Sequence, residues 1–222
     1  MGHMISKNEP KYSRYAIYFN PRVGSALAEF GQKWFDDTPS NQFIAGPKRY
    51  GFHATLKAPF QLNSQRTFEE LVITIKHLVG DFSPVDVGPL VQTHMGGFIA
   101  LVPKIKCPDL NQLAFDWVRL LDPYHAPADA AELERHRTAG LSESQEEMLQ
   151  KWSYPYVDKC FRFHITLTEK LNSEEAKSIQ PTLDELLKPV LEEPLVIEDV
   201  CLLGDPGNGE PFMLLERFSL TG

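Results

Sequence analysis

The chain has 222 residues, 42% hydrophobic and 23% charged, which is too apolar for a disordered chain and enough for a sizeable core. Its net charge of -8, from 22 Lys and Arg against 30 Asp and Glu, excludes a broad electrostatic footprint for duplex DNA or long RNA. A small cluster of cations able to hold one phosphate is still compatible with that balance.

Cys107, Cys160 and Cys201 are far apart and lack CxxC spacing, which argues against a disulfide scaffold or a structural zinc site and suits a reducing cytoplasm. No stretch reaches the roughly 20 apolar residues of a membrane helix. Residues 1–4, Met1-Gly2-His3-Met4, read as a tag remnant ahead of a native start at Met4. At about 150 residues per domain the length admits one large domain or two small lobes sharing a cleft.

Taken in chain order, Tyr15 to Phe19 is an aromatic and apolar run closed by Asn20-Pro21, and it predicts a strand. A helix follows through Ala26 to Trp34. From Phe68 the apolar positions Leu71, Val72, Ile75, Leu78 and Val79 recur at helical spacing, with Thr67 and Glu70 as a capping box. Val85 to Val91 and Phe98 to Val102 flank a Gly96-Gly97 turn and predict a hairpin, and Leu110, Leu113, Trp117 and Leu120 form the next helical stripe. Residues 122–151 read as an inserted helical segment. A strand at Phe161 to Thr168 follows, then a helix from Ser173 that Pro181 should kink or split, then strands at Leu195 to Leu203 and Phe212 to Leu220. This mixed order predicts an α+β fold with largely antiparallel sheets.

Two segments resemble one another. Tyr50-Gly51-Phe52-His53-Ala54-Thr55-Leu56-Lys57 and Phe161-Arg162-Phe163-His164-Ile165-Thr166-Leu167-Thr168 both read Phe-His-x-Thr-Leu. Side chains alternate along a strand, so His53, Thr55 and Lys57 should share one face, and Arg162, His164, Thr166 and Thr168 should share the other copy's equivalent face. Two imidazoles presented this way suit phosphoryl transfer without a metal. One neutral histidine takes a proton from the attacking oxygen, and the other, protonated, supplies the leaving oxygen. Thr55 and Thr166 would hydrogen-bond the phosphate oxygens, with Lys57 or Arg162 offsetting charge. The pattern alone leaves open which histidine is acid and which base. It also admits two edge histidines that merely hydrogen-bond their neighbours, and the absence of HExxH or carboxylate-rich spacing disfavours zinc.

The paired His53-Ala54-Thr55-Leu56 and His164-Ile165-Thr166-Leu167 resemble the two signatures of the 2H (two-histidine) phosphoesterase superfamily. Within it the chain resembles a branch associated with phosphonate metabolism, otherwise a domain family of unknown function. Arg14 to Phe19, Arg49 to Phe60, the insert from Ala131 to Leu141 and Trp152 to Val157 carry that likeness. The resemblance implies a single two-lobed domain over 1–222, with pseudo-two-fold antiparallel sheets flanked by helices around a central cleft. It implies a cyclic phosphodiesterase that needs no cofactor or metal, with His53 and His164 catalytic and Thr55 and Thr166 as phosphate ligands. Its substrate would be a small sugar phosphate or nucleotide in carbon-phosphorus lyase metabolism. Arg14 and Tyr18 share parity on the first strand and are further candidates for the cleft, and Arg135 and Arg137 could cap it. A non-catalytic sugar-phosphate or nucleotide binding module and an RNA-end phosphodiesterase are the alternatives.

Overall fold

A computed structural model describes residues 12–36, 43–138 and 140–222; the tag remnant expected at 1–4 lies outside the described residues. The strands are β1 (Arg14–Phe19), β2 (Ala54–Phe60), β3 (Val85–Met95), β4 (Phe98–Pro103), β5 (Ile165–Thr166), β6 (Pro194–Ile197), β7 (Asp199–Asp205) and β8 (Met213–Ser219). Among the described residues they form one sheet in the order β6-β3-β4-β5-β2-β1-β7-β8, with antiparallel pairing throughout. The fold is α+β.

The two expected lobes are halves of this one sheet, joined where β2 meets β5. Ala54 pairs with Ile165, and these are equivalent positions of the two Phe-His-x-Thr-Leu copies, so a pseudo-dyad passes between them. It relates β2 to β5, β1 to β4, β7 to β3 and β8 to β6.

Alternation along β1 separates the two faces of the sheet. Tyr15 and Ile17 enter the main core, whereas Ala16 and Tyr18 face the other way with Cys201 and Leu203. On the core face lie α1 (Ala26–Asp36), α3 (Phe68–Leu78), α4 (Pro108–Leu120) and α7 (Ser173–Leu191), contributing Trp34, Leu71, Trp117 and Leu183 among others. Between α1 and α3 a short helix, α2 (Ala45–Tyr50), leads into the first motif. The expected helical insert contains α5 (Ala130–Arg137) and α6 (Glu143–Trp152), packed through Met148, Val157 and Val118. Two helix starts follow their sequence signals: Thr67 caps α3 with Glu70, and Ser142 caps α6 with Gln145, each as a capping box.

Three expectations are corrected. Pro181 does not split α7, which runs unbroken over 19 residues with Pro181 and Pro189 inside it. Both prolines are exposed, so the carbonyls they free face solvent while Ile179, Leu183, Leu187 and Val190 hold the buried side. The run Leu195 to Leu203 is two strands, since Ile197 pairs with Val85 in one half of the sheet and Asp199 with Ser219 in the other. The strand expected over Phe161 to Thr168 shrinks to Ile165–Thr166. Beyond it the Leu167 and Thr168 N–H groups both reach the Ile99 carbonyl, at 2.9 and 3.3 Å, which makes a bulge. Among the described residues no helix is long and apolar enough to cross a membrane.

Candidate active site

The pairing of Ala54 with Ile165 sets the register of the motifs. Continued by one residue each way, it puts His53 opposite Thr166 and His164 opposite Thr55. All four side chains then share the sheet face turned away from the helices, and the histidines are diagonal neighbours, roughly 7–8 Å apart at the backbone. Their charges are close enough to interact, because His164 lowers the proton affinity of His53.

Both imidazoles are held in the same way. His53 Nδ1 lies 2.9 Å from the Gly51 carbonyl and His164 Nδ1 lies 2.9 Å from the Arg162 carbonyl. A carbonyl only accepts, so Nδ1 carries the hydrogen in each ring and Nε2 is left to exchange protons. Thr55 Oγ1 stands 3.4 Å from His53 Nε2.

The surroundings differ. Tyr18 stacks on His53 with ring centroids 4.0 Å apart and an interplanar angle of 18°, and it sits opposite Thr55 across the β1–β2 pair. Burial pushes the Tyr18 phenol well above its ordinary range. Tyr50 lies 6.4 Å from His53 and 5.5 Å from Phe212, which in turn stacks on Tyr18 at 6.0 Å. Under this cover, loss of hydration pushes His53 down to about 4, against a smaller upward pull from the Gly51 carbonyl. At neutral pH His53 is therefore an uncharged acceptor. His164 has Phe98 beside it at 5.9 Å.

Lys57 is corrected. β1 pairs Tyr18 with Thr55 but Ile17 with Lys57, so a bulge at Leu56 turns Lys57 to the face of Ile17, away from the histidines. Its ammonium sits 4.7 Å over the Phe60 ring, where Asp122 attracts it and burial lowers its proton affinity to about 8. Thr168, the equivalent residue of the second copy, is likewise buried, accepting from Ile99 N–H at 3.0 Å. The same local departure from alternation thus follows both motif threonines.

Arg162 is exposed, and its carbonyl is what holds His164. Arg14 opens β1 as expected, with Nε and Nη2 on Asp205 at 3.0 and 2.5 Å and its guanidinium 5.8 Å over Phe212. Arg137, the expected cap of the cleft, pairs with Glu146 at 2.8 Å on a part-exposed helix face. The sequence reading missed Arg49, Tyr50 and Phe212. Arg49 and Tyr50 adjoin the first motif and fall in the stretch that carries the family likeness, but they end a six-residue helix without a hydrophobic period, and Phe212 arrives from far along the chain, so nothing local gave them a role in the site. Tyr154, from the segment after the insert, interacts with Tyr18 and lies 5.5 Å from His136.

Among the described residues there is no cluster of three or more His, Cys, Asp or Glu side chains able to hold a metal ion.

Residues 55–213 match the family described as "Protein of unknown function (DUF1045)", a span that includes the second motif and begins just after His53. Two curated relatives carry the name "Ribose 1,5-bisphosphate phosphokinase PhnN". One, from Janthinobacterium sp. (strain Marseille), is 29% identical over 99% of this chain and 53% of its own length. The other, from Laribacter hongkongensis (strain HLHK9), is 31% identical over 90% of this chain and 50% of its own length. The chain thus spans about half the length of these relatives.

Among solved structures, E. coli LigT complexed with NADP+ is similar over 96% of this chain and 99% of its own, with 14% identity and a TM-score of 0.44. LigT complexed with 3'-AMP is similar over 95% and 99%, with 11% identity and a TM-score of 0.43. Likeness at this level says nothing of chemistry. The family match, covering well over half of the residues, does define the lineage: this chain belongs to the DUF1045 family of proteins of unknown function.

Proposed function

We propose that this chain is a cyclic phosphodiesterase that opens the ring of a small sugar or nucleotide cyclic phosphate by acid-base catalysis between its two histidines. The observation that carries the reading is the matched pair of Nδ1 contacts at 2.9 Å, which leaves both Nε2 atoms available on one sheet face. His53, uncharged at neutral pH, takes a proton from water as the water oxygen attacks phosphorus. The P–O bond to one ring oxygen breaks, and His164 Nε2–H donates its proton to that oxygen. The product is a phosphomonoester with a new hydroxyl. Thr55 and Thr166 donate to the non-bridging oxygens, and Tyr18 lies opposite Thr55 across the β1–β2 pair. No step requires a metal.

The relatives' names support a ribose phosphate as substrate and a setting in phosphonate metabolism. Their phosphokinase activity is not assigned to this chain, which lacks a G-x-x-x-x-G-K-[ST] loop and has no Gly-Lys dipeptide. We assign it instead a step that supplies a ribose phosphate to such a kinase.

Hydrolysis of ribose 1,2-cyclic phosphate 5-phosphate and the nucleoside 2′,3′-cyclic phosphates, assayed in EDTA, tests the reading. His53→Ala and His164→Ala should each lose about 10²–10⁴-fold in kcat. Full activity in either variant, or no turnover of any cyclic phosphate, overturns it.

A further inference from the structure

On the His53 side of the site, two arginines converge on one carboxylate. Asp205 is buried, with Oδ2 taken by Arg14 and Oδ1 by the Gly207 N–H at 2.9 Å. Its acceptors are thereby engaged, and Arg14 and the Gly207 N–H help hold the carboxyl below its ordinary range. Arg49 also acts on Asp205 electrostatically, yet its Nε is buried without a hydrogen-bond partner. A guanidinium N–H removed from water with no acceptor is unfavourable until an acceptor arrives. Arg14 and Arg49 together outnumber the single charge of Asp205, a local cationic excess in a chain whose net charge is -8.

Both arginines are tied to the catalytic wall. The Arg49 guanidinium stands 5.7 Å over the Tyr50 ring, and its carbonyl accepts from Phe212 N–H at 3.4 Å. Arg14 lies over Phe212 and lowers the proton affinity of the stacked Tyr18. The segment from Arg49 to His53 includes Gly51, whose carbonyl fixes the His53 tautomer; its φ of 76° favours a glycine there.

We propose that Arg49, with Arg14 beside it, is the subsite for a second phosphomonoester on the substrate. This rests on the reading of His53 and His164 given above and names its substrate class: a sugar cyclic phosphate that also carries a terminal phosphate. Guanidinium forks match the tetrahedral, bidentate geometry of a phosphomonoester, and the rings of Tyr50 and Phe212 offer flat apolar surface to the sugar between the two groups. Selectivity arises because an unphosphorylated sugar leaves Arg49 unpaired.

The test compares ribose 1,2-cyclic phosphate with and without a 5-phosphate on the wild type, Arg49→Met and Arg49→Lys, all checked for an unchanged melting transition. The wild type should favour the 5-phosphate form by at least tenfold in kcat/KM. Arg49→Met should erase that preference, acting chiefly through the KM of the 5-phosphate form, and Arg49→Lys should partly restore it. Equal effects on both substrates, or none on either, overturn the subsite. If neither compound is hydrolysed, the catalytic reading fails, and calorimetry with ribose 5-phosphate against ribose decides the subsite separately. Binding of the former alone, lost in Arg49→Met, supports it; equal affinities overturn it.

Discussion

The two halves of the sheet carry the same motif in different company. Thr55 faces Tyr18 across its strand pair, whereas Thr166 faces Ala100. His53 lies under Tyr18, with Tyr50 near, and is driven to about 4 by lost hydration, while His164 has Phe98 beside it. The common part, an Nδ1 bond to the carbonyl two residues earlier, sets the tautomer in both. The contrast teaches that a duplicated motif gains direction from its neighbours. On this account the covered histidine is the base and its counterpart the acid.

The packing behind the first motif is the most sensitive place to disturb this asymmetry. A Cβ on Gly31 of α1 would clash with the Phe52 ring, which packs edge-on against Phe30 and Phe35. Gly31→Ala should destabilise by about 1–3 kcal/mol in thermal melts, as overpacked cores do. It should also lower kcat, because Phe52 directly precedes His53 and its displacement shifts the backbone of the first motif. Unchanged stability and rate would mean that this half tolerates displacement.

A second handle is acid. His53 and His125 are both held at about 4 by burial, His125 with a further push from Lys57. Protonation is therefore easier in the unfolded chain, where histidine titrates near 6.5. The stability these neutral rings retain is present above about pH 6.5 and is lost as pH falls toward 4, on the order of a few kcal/mol in total. Urea midpoints across that window should fall with pH. The fall should be shallower in His125→Phe, which keeps an aromatic ring against Phe60 but cannot titrate.

The smallest effect concerns Lys57. Its folded-state affinity for a proton is lowered to about 8, so its charge opposes folding at neutral pH, and that opposition fades as pH rises through 8 toward the unfolded value of 10.5. Lys57→Met should keep kcat within a few-fold and be neutral or stabilising. A loss of a hundredfold or more would restore Lys57 to the phosphate.

Much of this was legible in sequence where the signal is local. The apolar period of α3 with its Thr67 and Glu70 cap, the Gly96-Gly97 hairpin and the doubled His-x-Thr all carry their meaning within a few residues. Lys57 was misjudged because alternation assumes an unbroken ladder, and the bulge at Leu56 depends on pairing with β1. Arg49 and Tyr50 stood beside the motif without a role, and Phe212 with them, because that placement arises only when the chain near residue 212 meets a helix ending at residue 50. Pro181 misled because its cost depends on which side of α7 faces solvent.

The assignment of base to His53 and acid to His164 is tested most directly by varying the leaving group. A p-nitrophenyl phosphodiester releases an oxygen that needs no proton, so it makes the general acid dispensable. His164→Ala should be slowed about 10²–10⁴-fold on the sugar cyclic phosphate but only a few-fold on the p-nitrophenyl ester, while His53→Ala stays slow on both. Recovery of His53→Ala instead, or equal losses for the two variants on both substrates, would contradict the assignment.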